Sequence, residues 1–192
     1  MSVSLKQVQK IMRWSAVARN ITSIPIAFGG VGLVVMLIAV ALGGVAGNPV
    51  AVGPYTFSSA ALNPWSARLY VLLMLLAGGA LVMAALLLIR AVFTDLARGN
   101  IFCEANVRRI RNLGWLTIAG GIGCWLIPVA DAAYFLLTGH DDLTFRDEST
   151  LFTGLAQIVS GGFYLLLSWI MAVGLGVRED AEELQREAEL VI

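Results

Sequence analysis

The sequence predicts an all-α membrane protein, a bundle of four transmembrane helices. Two observations lead to this fold class. Four long apolar stretches divide the chain, and only 14% of its 192 residues are charged, whereas 58% are hydrophobic. Soluble domains carry about 25% charged residues, so water is not the main solvent of this chain. We expect a single membrane domain, residues 1–192, because the other segments are too short to form a separate domain.

Each apolar stretch has the length that a membrane span requires. About 20 apolar residues in a helix cross a hydrocarbon core about 30 Å thick. The predicted spans cover residues 24–46, 64–93, 113–137 and 151–177. A basic tail, residues 1–20, precedes the first span and an acidic tail, residues 178–192, follows the last. The first span is longer than the apolar part of a secretory signal, which has about 7–15 residues.

Residues typical of helix ends support this division. Asn63 and Pro64 are typical of a helix start, because asparagine caps a helix and proline is tolerated at the first helical position. Gly99 is predicted to stand just after the end of the second helix. The loop of residues 47–62 is rich in Gly, Pro, Ser and Tyr and is expected to be irregular. The basic tail is amphipathic over residues 5–14, and we expect it to lie on the membrane surface or to pair with the acidic tail.

The distribution of Lys and Arg predicts the orientation. Of the 13 cationic residues, four lie in the basic tail and five from the end of span two to the start of span three, while the start of span two and the loop before span four hold only Arg68 and Arg146. Because Lys and Arg accumulate on the cytoplasmic side of membrane proteins, both termini are predicted to be cytoplasmic.

No catalytic or metal-binding pattern is present. The chain has one histidine, His140, and its two cysteines, Cys103 and Cys124, are not spaced as metal ligands or as a redox pair. It has no phosphate-binding loop and no paired carboxylates within a span. We therefore expect neither an enzyme nor a bound cofactor or metal ion.

Asp131 is the one acidic residue inside a predicted span. A carboxylate in hydrocarbon is costly, so it usually has a partner or faces a polar cavity. Arg68 is the expected partner, and a kink at Pro128 is expected to shape a polar site together with His140. A structural ion pair, a ligand-sensing or proton-linked site, and a transport pathway are the three interpretations.

Glycines are frequent within the spans, and Gly43 and Gly47 fit the small-residue spacing of close helix pairs. Packing within the bundle and homo-oligomerisation are the two roles we consider for them.

Two charged segments stand at the predicted cytoplasmic side. The loop of residues 99–112 precedes span three, and its arginines are expected to contact anionic lipid headgroups. The acidic tail has six acids and two arginines, a net charge of −4. An apolar stripe recurs in it at heptad-like spacing, at Val177, Ala181, Leu184, Ala188 and Val191. We expect the tail either to extend span four and pack on the loop, or to bind another protein. The candidate partner-binding residues are Glu104, Asn106, Arg108, Arg109, Arg111, Glu183, Leu184, Glu187, Glu189 and Leu190.

The order of four spans, the loop from Gly99 through Glu104-Ala105-Asn106-Val107-Arg108-Arg109 to Gly114, and the ending Glu183 to Ile192 resemble the bacterial domain-of-unknown-function 2975 membrane-protein family. The resemblance implies a multi-pass protein of the bacterial inner membrane, often encoded beside a small helix-turn-helix regulator. The chain departs from the family pattern in having Cys103 where Ser or Thr would cap the helix.

The resemblance therefore implies a cytoplasmic protein partner. DNA-binding regulators are usually basic, because neutralising phosphates supplies much of their affinity, and an acidic tail suits such a surface. Our leading hypothesis is a regulatory protein that holds a helix-turn-helix regulator at the membrane through residues 179–192 and 99–112; we expect no direct binding of nucleic acid. The alternative is a small transporter or channel with a polar site at Asp131, and a third reading is an immunity or stress-tolerance protein.

Overall fold

The computed structural model describes residues 5–42, 50–52, 55–57, 65–100, 102–138 and 148–190. These residues form four long helices and two short strands: α1 Leu5–Ala41, β1 Val50–Val52, β2 Tyr55–Phe57, α2 Trp65–Ala97, α3 Glu104–Thr138 and α4 Glu148–Leu190. All four helices are long and apolar enough to cross a membrane. The prediction of an all-α protein with four helices long and apolar enough to span a membrane is confirmed.

The outer surface of the helices is apolar, as lipid requires. Large side chains such as Phe28, Phe163 and Trp169 are exposed, whereas the buried apolar side chains of the described residues are few. A soluble protein does not expose apolar surface of this extent. The helices are therefore covered by hydrocarbon rather than by water.

Each helix packs against its neighbours in the sequence. α1 pairs with α2, α2 with α3 and α3 with α4, and within the described ranges α1 and α4 do not approach each other closely. The chain thus forms two helical hairpins joined through α2 and α3. The start of α1 and the end of α4 lie at the same end, because Met12 Sδ is 3.8 Å from the Cβ position of Gly99 and the Phe102 ring is 3.5 Å from that of Gly174. We call this the arginine-rich end.

Glycines bring α3 and α4 into backbone contact. A Cβ on Gly121 would lie 2.6 Å from the Gly154 carbonyl oxygen, and one on Gly161 would lie 2.7 Å from that of Gly114. Small residues allow such approaches in lipid, where close packing replaces the hydrophobic effect as the source of helix association. The role predicted for the span glycines, packing within the bundle, is confirmed for this pair of helices. Gly43 and Gly47 lie outside the described residues.

A small core lies at the end opposite to the arginine-rich end. It consists of Val40 of α1, Ala67 and Val71 of α2 and Tyr134 of α3. The Tyr134 ring stacks on Tyr70 with ring centroids 4.9 Å apart, and its hydroxyl lies 3.4 Å from Ser66 Oγ. This core joins the two hairpins.

Residues 50–52 and 55–57 of the loop between α1 and α2 form a β-hairpin, so the prediction of an irregular loop is wrong for these residues. β1 and β2 are antiparallel, with Val50 opposite Phe57 and Val52 opposite Tyr55. Valine, tyrosine, threonine and phenylalanine favour strands, and only two residues separate the two segments, as in a tight hairpin. The Gly, Pro and Ser residues of this loop do not prevent these strand-forming residues from pairing.

The basic tail is continuous with the first span. α1 runs from Leu5 to Ala41 with Pro25 inside it, so residues 5–14 do not form a separate surface helix. Since α1 and α4 make no close approach over the part of the chain described, the pairing of the basic with the acidic tail is also not observed.

Candidate functional site

The turn between α2 and α3 has a regular helix-ending geometry. Gly99 adopts a φ of 84°, its N–H donates to the Leu96 carbonyl at 3.1 Å, and the Asn100 N–H donates to the Asp95 carbonyl at 3.0 Å. This is the Schellman arrangement, in which a left-handed residue lets the last helical carbonyls be satisfied. The predicted role of Gly99 is confirmed.

Asn106 supports the start of α3. The Cys103 carbonyl accepts the first helical hydrogen bonds, and the Cys103 thiol lies 3.9 Å from the Asn100 carbonyl. The Asn106 side-chain amide donates to that same carbonyl at 2.9 Å, and Asn106 is completely buried. Asn106 thus ties the turn to the helix, a role that a serine or threonine cap would otherwise share.

An ion pair joins the two helices across this turn. Arg109 of α3 donates through Nη1 to the carboxylate of Asp95 of α2, and the same nitrogen donates to Asn106 Oδ1 at 3.1 Å. Arg98 Nη1 lies 3.8 Å from the other carboxylate oxygen of Asp95. We call Asp95, Arg98, Asn106 and Arg109 the turn cluster. These contacts hold the α2–α3 connection in one conformation, so that it presents a fixed surface.

Of the residues proposed to bind a partner, Asn106 and Arg109 are thus engaged within the turn cluster. Arg108 pairs with Glu104 at 3.5 Å, with both side chains mostly exposed, and Arg111 is also exposed. Glu104, Arg108 and Arg111 are therefore accessible to a partner, and Asn106 and Arg109 position the surface. Sequence reasoning missed Asp95. An acid in the last turn of a helix opposes the helix dipole, and that is the signal that it is held by a cation.

The acidic tail is helical and exposed. α4 continues to Leu190, and every residue from 177 to 189 is exposed. The tail therefore extends span four, as predicted, but does not pack on the loop. Residues 178–190 project by about 20 Å from the bundle, since a helix rises 1.5 Å per residue. The part of α4 just before the tail lies beside the α2–α3 turn, because the Phe102 ring is 3.5 Å from the Cβ position of Gly174.

The charges of the tail are divided between two faces. Asp180 and Glu187 lie seven positions apart on one face, adjacent to the apolar stripe, and Glu183 lies further round the same side of the helix. Glu182 and Glu189 lie on the far side, and Glu182 accepts a hydrogen bond from Arg178 at 2.7 Å. Leu184 is exposed in the stripe. The side chain of Leu190 and all of Val191 and Ile192 lie outside the described residues.

Only part of the polar site proposed around Asp131 lies within the described residues. Arg68 is half-buried in the first turns of α2, and Pro128 is exposed inside α3. The side chain of Asp131 and all of His140 lie outside the described residues, so the ion pair with Arg68 stays a prediction. Among the residues that the structure describes, no group of three His, Cys, Asp or Glu is arranged to hold a metal ion.

Comparison with known families decides the relationship. The family described as a protein of unknown function, DUF2975, matches residues 50–192, well over half of the chain. The chain belongs to this family. The match begins at β1 and includes the turn cluster and the acidic tail. Searches of curated proteins and of solved structures found no match for this DUF2975 protein.

Proposed function

We propose that this protein is a regulatory, non-enzymatic protein of the bacterial inner membrane that binds a cytoplasmic helix-turn-helix regulator. The acidic tail and the exposed residues of the α2–α3 turn form the binding surface. The observation that carries the proposal is the tail itself, an exposed acidic helix that projects from a membrane bundle.

Exposure of the apolar stripe supports a protein ligand. Val177 and Leu184 are exposed, and over the described part of the chain no other element covers them. An amphipathic helix that presents apolar residues at this spacing is a common form of recognition, in which it enters a groove on its partner. Apolar side chains are unfavourable in water, so a ligand that covers them is the best explanation for the stripe.

Charge favours a basic occupant. The acidic tail carries a net charge of −4, and DNA-binding regulators present basic surfaces. Complementary charges accelerate association and exclude acidic proteins. A regulator held by this tail would have its DNA-binding surface occupied, so binding to the membrane would also withdraw it from DNA.

Glu104, Arg108 and Arg111 at the start of α3 supply the second part of the surface. The internal hydrogen bonds of the turn cluster fix their positions, and the α2–α3 turn lies beside Gly174, just before the tail. A movement between the two hairpins would change the distance between this turn and the tail. We propose that such a movement releases the regulator.

The proposal requires both termini to be cytoplasmic. The distribution of Lys and Arg supports this orientation, since 11 of the 13 cationic residues belong to segments at the arginine-rich end. The acidic residues of the tail do not oppose it, because Asp and Glu contribute little to orientation.

The test is co-purification of a helix-turn-helix protein encoded beside this chain, with the full chain and with a chain that ends at Val177. We expect the full chain to retain the regulator and the shortened chain to lose at least nine tenths of it, because the acids and most of the stripe are removed. The thermal midpoint of the shortened chain in detergent checks that the spans still fold.

Equal recovery of the regulator from both chains would exclude the tail as its binding site. Light scattering measures the oligomeric state of both chains and so tests whether the stripe binds another copy of this chain instead of the regulator. If shortening the tail dissociates an oligomer and recovery of the regulator is unaffected, the stripe binds another copy of this chain.

A further inference from the structure

A groove of 340 Å³ lies beside the turn cluster, between α2 and α3. Arg90, Arg98 and Arg109 line it together with Thr94, Asp95 and Leu87. We propose that this groove binds the phosphate group of an anionic phospholipid. The proposal is independent of the proposed regulator, which contacts the tail and the outer face of the turn.

The charges of the groove favour an anion. Three guanidinium groups face one carboxylate, that of Asp95, which Arg98 and Arg109 already contact. Arg90 is exposed, and its side chain forms no ion pair with another described residue. The groove therefore has an excess of positive charge. Guanidinium groups bind phosphate oxygens through paired N–H donors.

The position of the groove favours a lipid as the source of the phosphate. Leu87, Arg90, Thr94 and Arg98 follow one face of α2 at spacings of three and four residues, which places apolar and cationic groups in one line. Leu87 is exposed to hydrocarbon, and so is Leu76, which lies further into the span on the same face of α2. A phospholipid whose acyl chain lies along these leucines has its phosphate at Arg90 and Arg98. Basic pockets at the ends of membrane helices recognise anionic headgroups in this way.

The test is a titration of the detergent-solubilised full chain with phosphatidylglycerol, followed by native mass spectrometry. We expect Arg90→Gln/Arg98→Gln to raise the apparent Kd at least tenfold. The matched control is Arg13→Gln/Arg19→Gln, which removes two positive charges from α1 at the same end of the molecule but outside the groove. We expect the control to change the apparent Kd less than twofold. Equal effects of the two pairs would overturn the proposal, because they would indicate general attraction to a basic surface.

Two further ligands distinguish the source of the phosphate. Phosphatidylcholine, whose headgroup has no net charge, is expected to bind at least tenfold more weakly than phosphatidylglycerol. Inorganic phosphate at millimolar concentration is expected to leave the lipid bound. Equal binding of the two lipids, or displacement by inorganic phosphate, would contradict a site for an anionic phospholipid.

A charge-conserving variant keeps the proposal testable if the glutamine pair does not fold. Arg90→Lys/Arg98→Lys retains both charges but loses the paired donors, so we expect the apparent Kd to rise about threefold or more. An unchanged Kd in this variant, with an unchanged thermal midpoint, would exclude the guanidinium contacts.

Discussion

Asn106 is a completely buried polar side chain in a turn that is otherwise rich in exposed arginines. Its two polar atoms are both used, one donating to Asn100 and the other accepting from Arg109. Buried polar groups that are fully hydrogen-bonded specify one conformation, because every alternative leaves a group unpaired. Through Arg109 this requirement extends to Asp95, so one asparagine connects the ends of two helices.

The contacts of the turn cluster predict that Asp95→Asn markedly lowers the stability of the protein. Asp95 is mostly buried and holds two arginines, so its neutralisation leaves Arg109 without its carboxylate partner. Loss of one partner of a mostly buried hydrogen bond costs about 1–3 kcal/mol. We expect a fall of several degrees in the thermal midpoint in detergent. Glu104→Gln is the control, because its pair with Arg108 is exposed and contributes about 0.3–0.5 kcal/mol.

A double-substitution cycle checks that the effect belongs to the pair. We expect the fall in the midpoint of Asp95→Asn/Arg109→Gln to be smaller than the sum of the falls in the two single variants, because both changes remove the same ion pair. Additive losses would mean that Asp95 acts on stability through other contacts.

The α3–α4 hairpin depends on glycines seven residues apart on each helix. Gly114 and Gly121 of α3 face Gly161 and Gly154 of α4. A spacing of seven residues keeps the small residues on one side of each helix, as in a coiled coil. Backbone-to-backbone contact at two levels explains why this pair of helices packs most closely.

The glycine contacts predict opposite outcomes for two neighbouring substitutions. In Gly121→Ala the new methyl would lie 2.6 Å from the Gly154 carbonyl oxygen, so the helices must separate. We expect a loss of about 1–3 kcal/mol, the usual cost of overpacking. In Gly123→Ala the methyl meets nothing within 4 Å, and alanine favours a helix, so the thermal midpoint should stay constant or rise. Equal losses in both variants would exclude the close contact as the cause.

Local sequence patterns predicted the helices well, but they predicted the contacts between distant residues poorly. Apolar length predicted all four spans, and Gly99 indicated the end of α2, because both features depend on residues close in sequence. The pair of Asp95 and Arg109 joins residues 14 positions apart across a turn, so its formation depends on how the turn closes. The hairpin of β1 and β2 was missed because strand-forming residues occur there in runs of three, shorter than most strands.

The molecule presents two kinds of surface. The spans are covered by apolar side chains that suit lipid, while the arginine-rich end presents the turn cluster and a helix that extends beyond the bundle. The start of α1 and the end of α4 lie at this end, and the family match includes the turn and the tail. The ion pairs of the turn cluster and of the tail in this DUF2975 protein thus belong to the arginine-rich end and the helix that extends from it.

The most direct measurement of the central claim is the affinity of the purified regulator for the full chain in lipid nanodiscs. Asp180 and Glu187 lie adjacent to the apolar stripe, whereas Glu179 and Glu182 lie on the far face, where Glu182 pairs with Arg178. We expect Asp180→Asn/Glu187→Gln to weaken binding at least tenfold and Glu179→Gln/Glu182→Gln to weaken it less than threefold. Equal affinities for both variants, whether reduced or unchanged, would contradict recognition through the stripe face of the acidic tail.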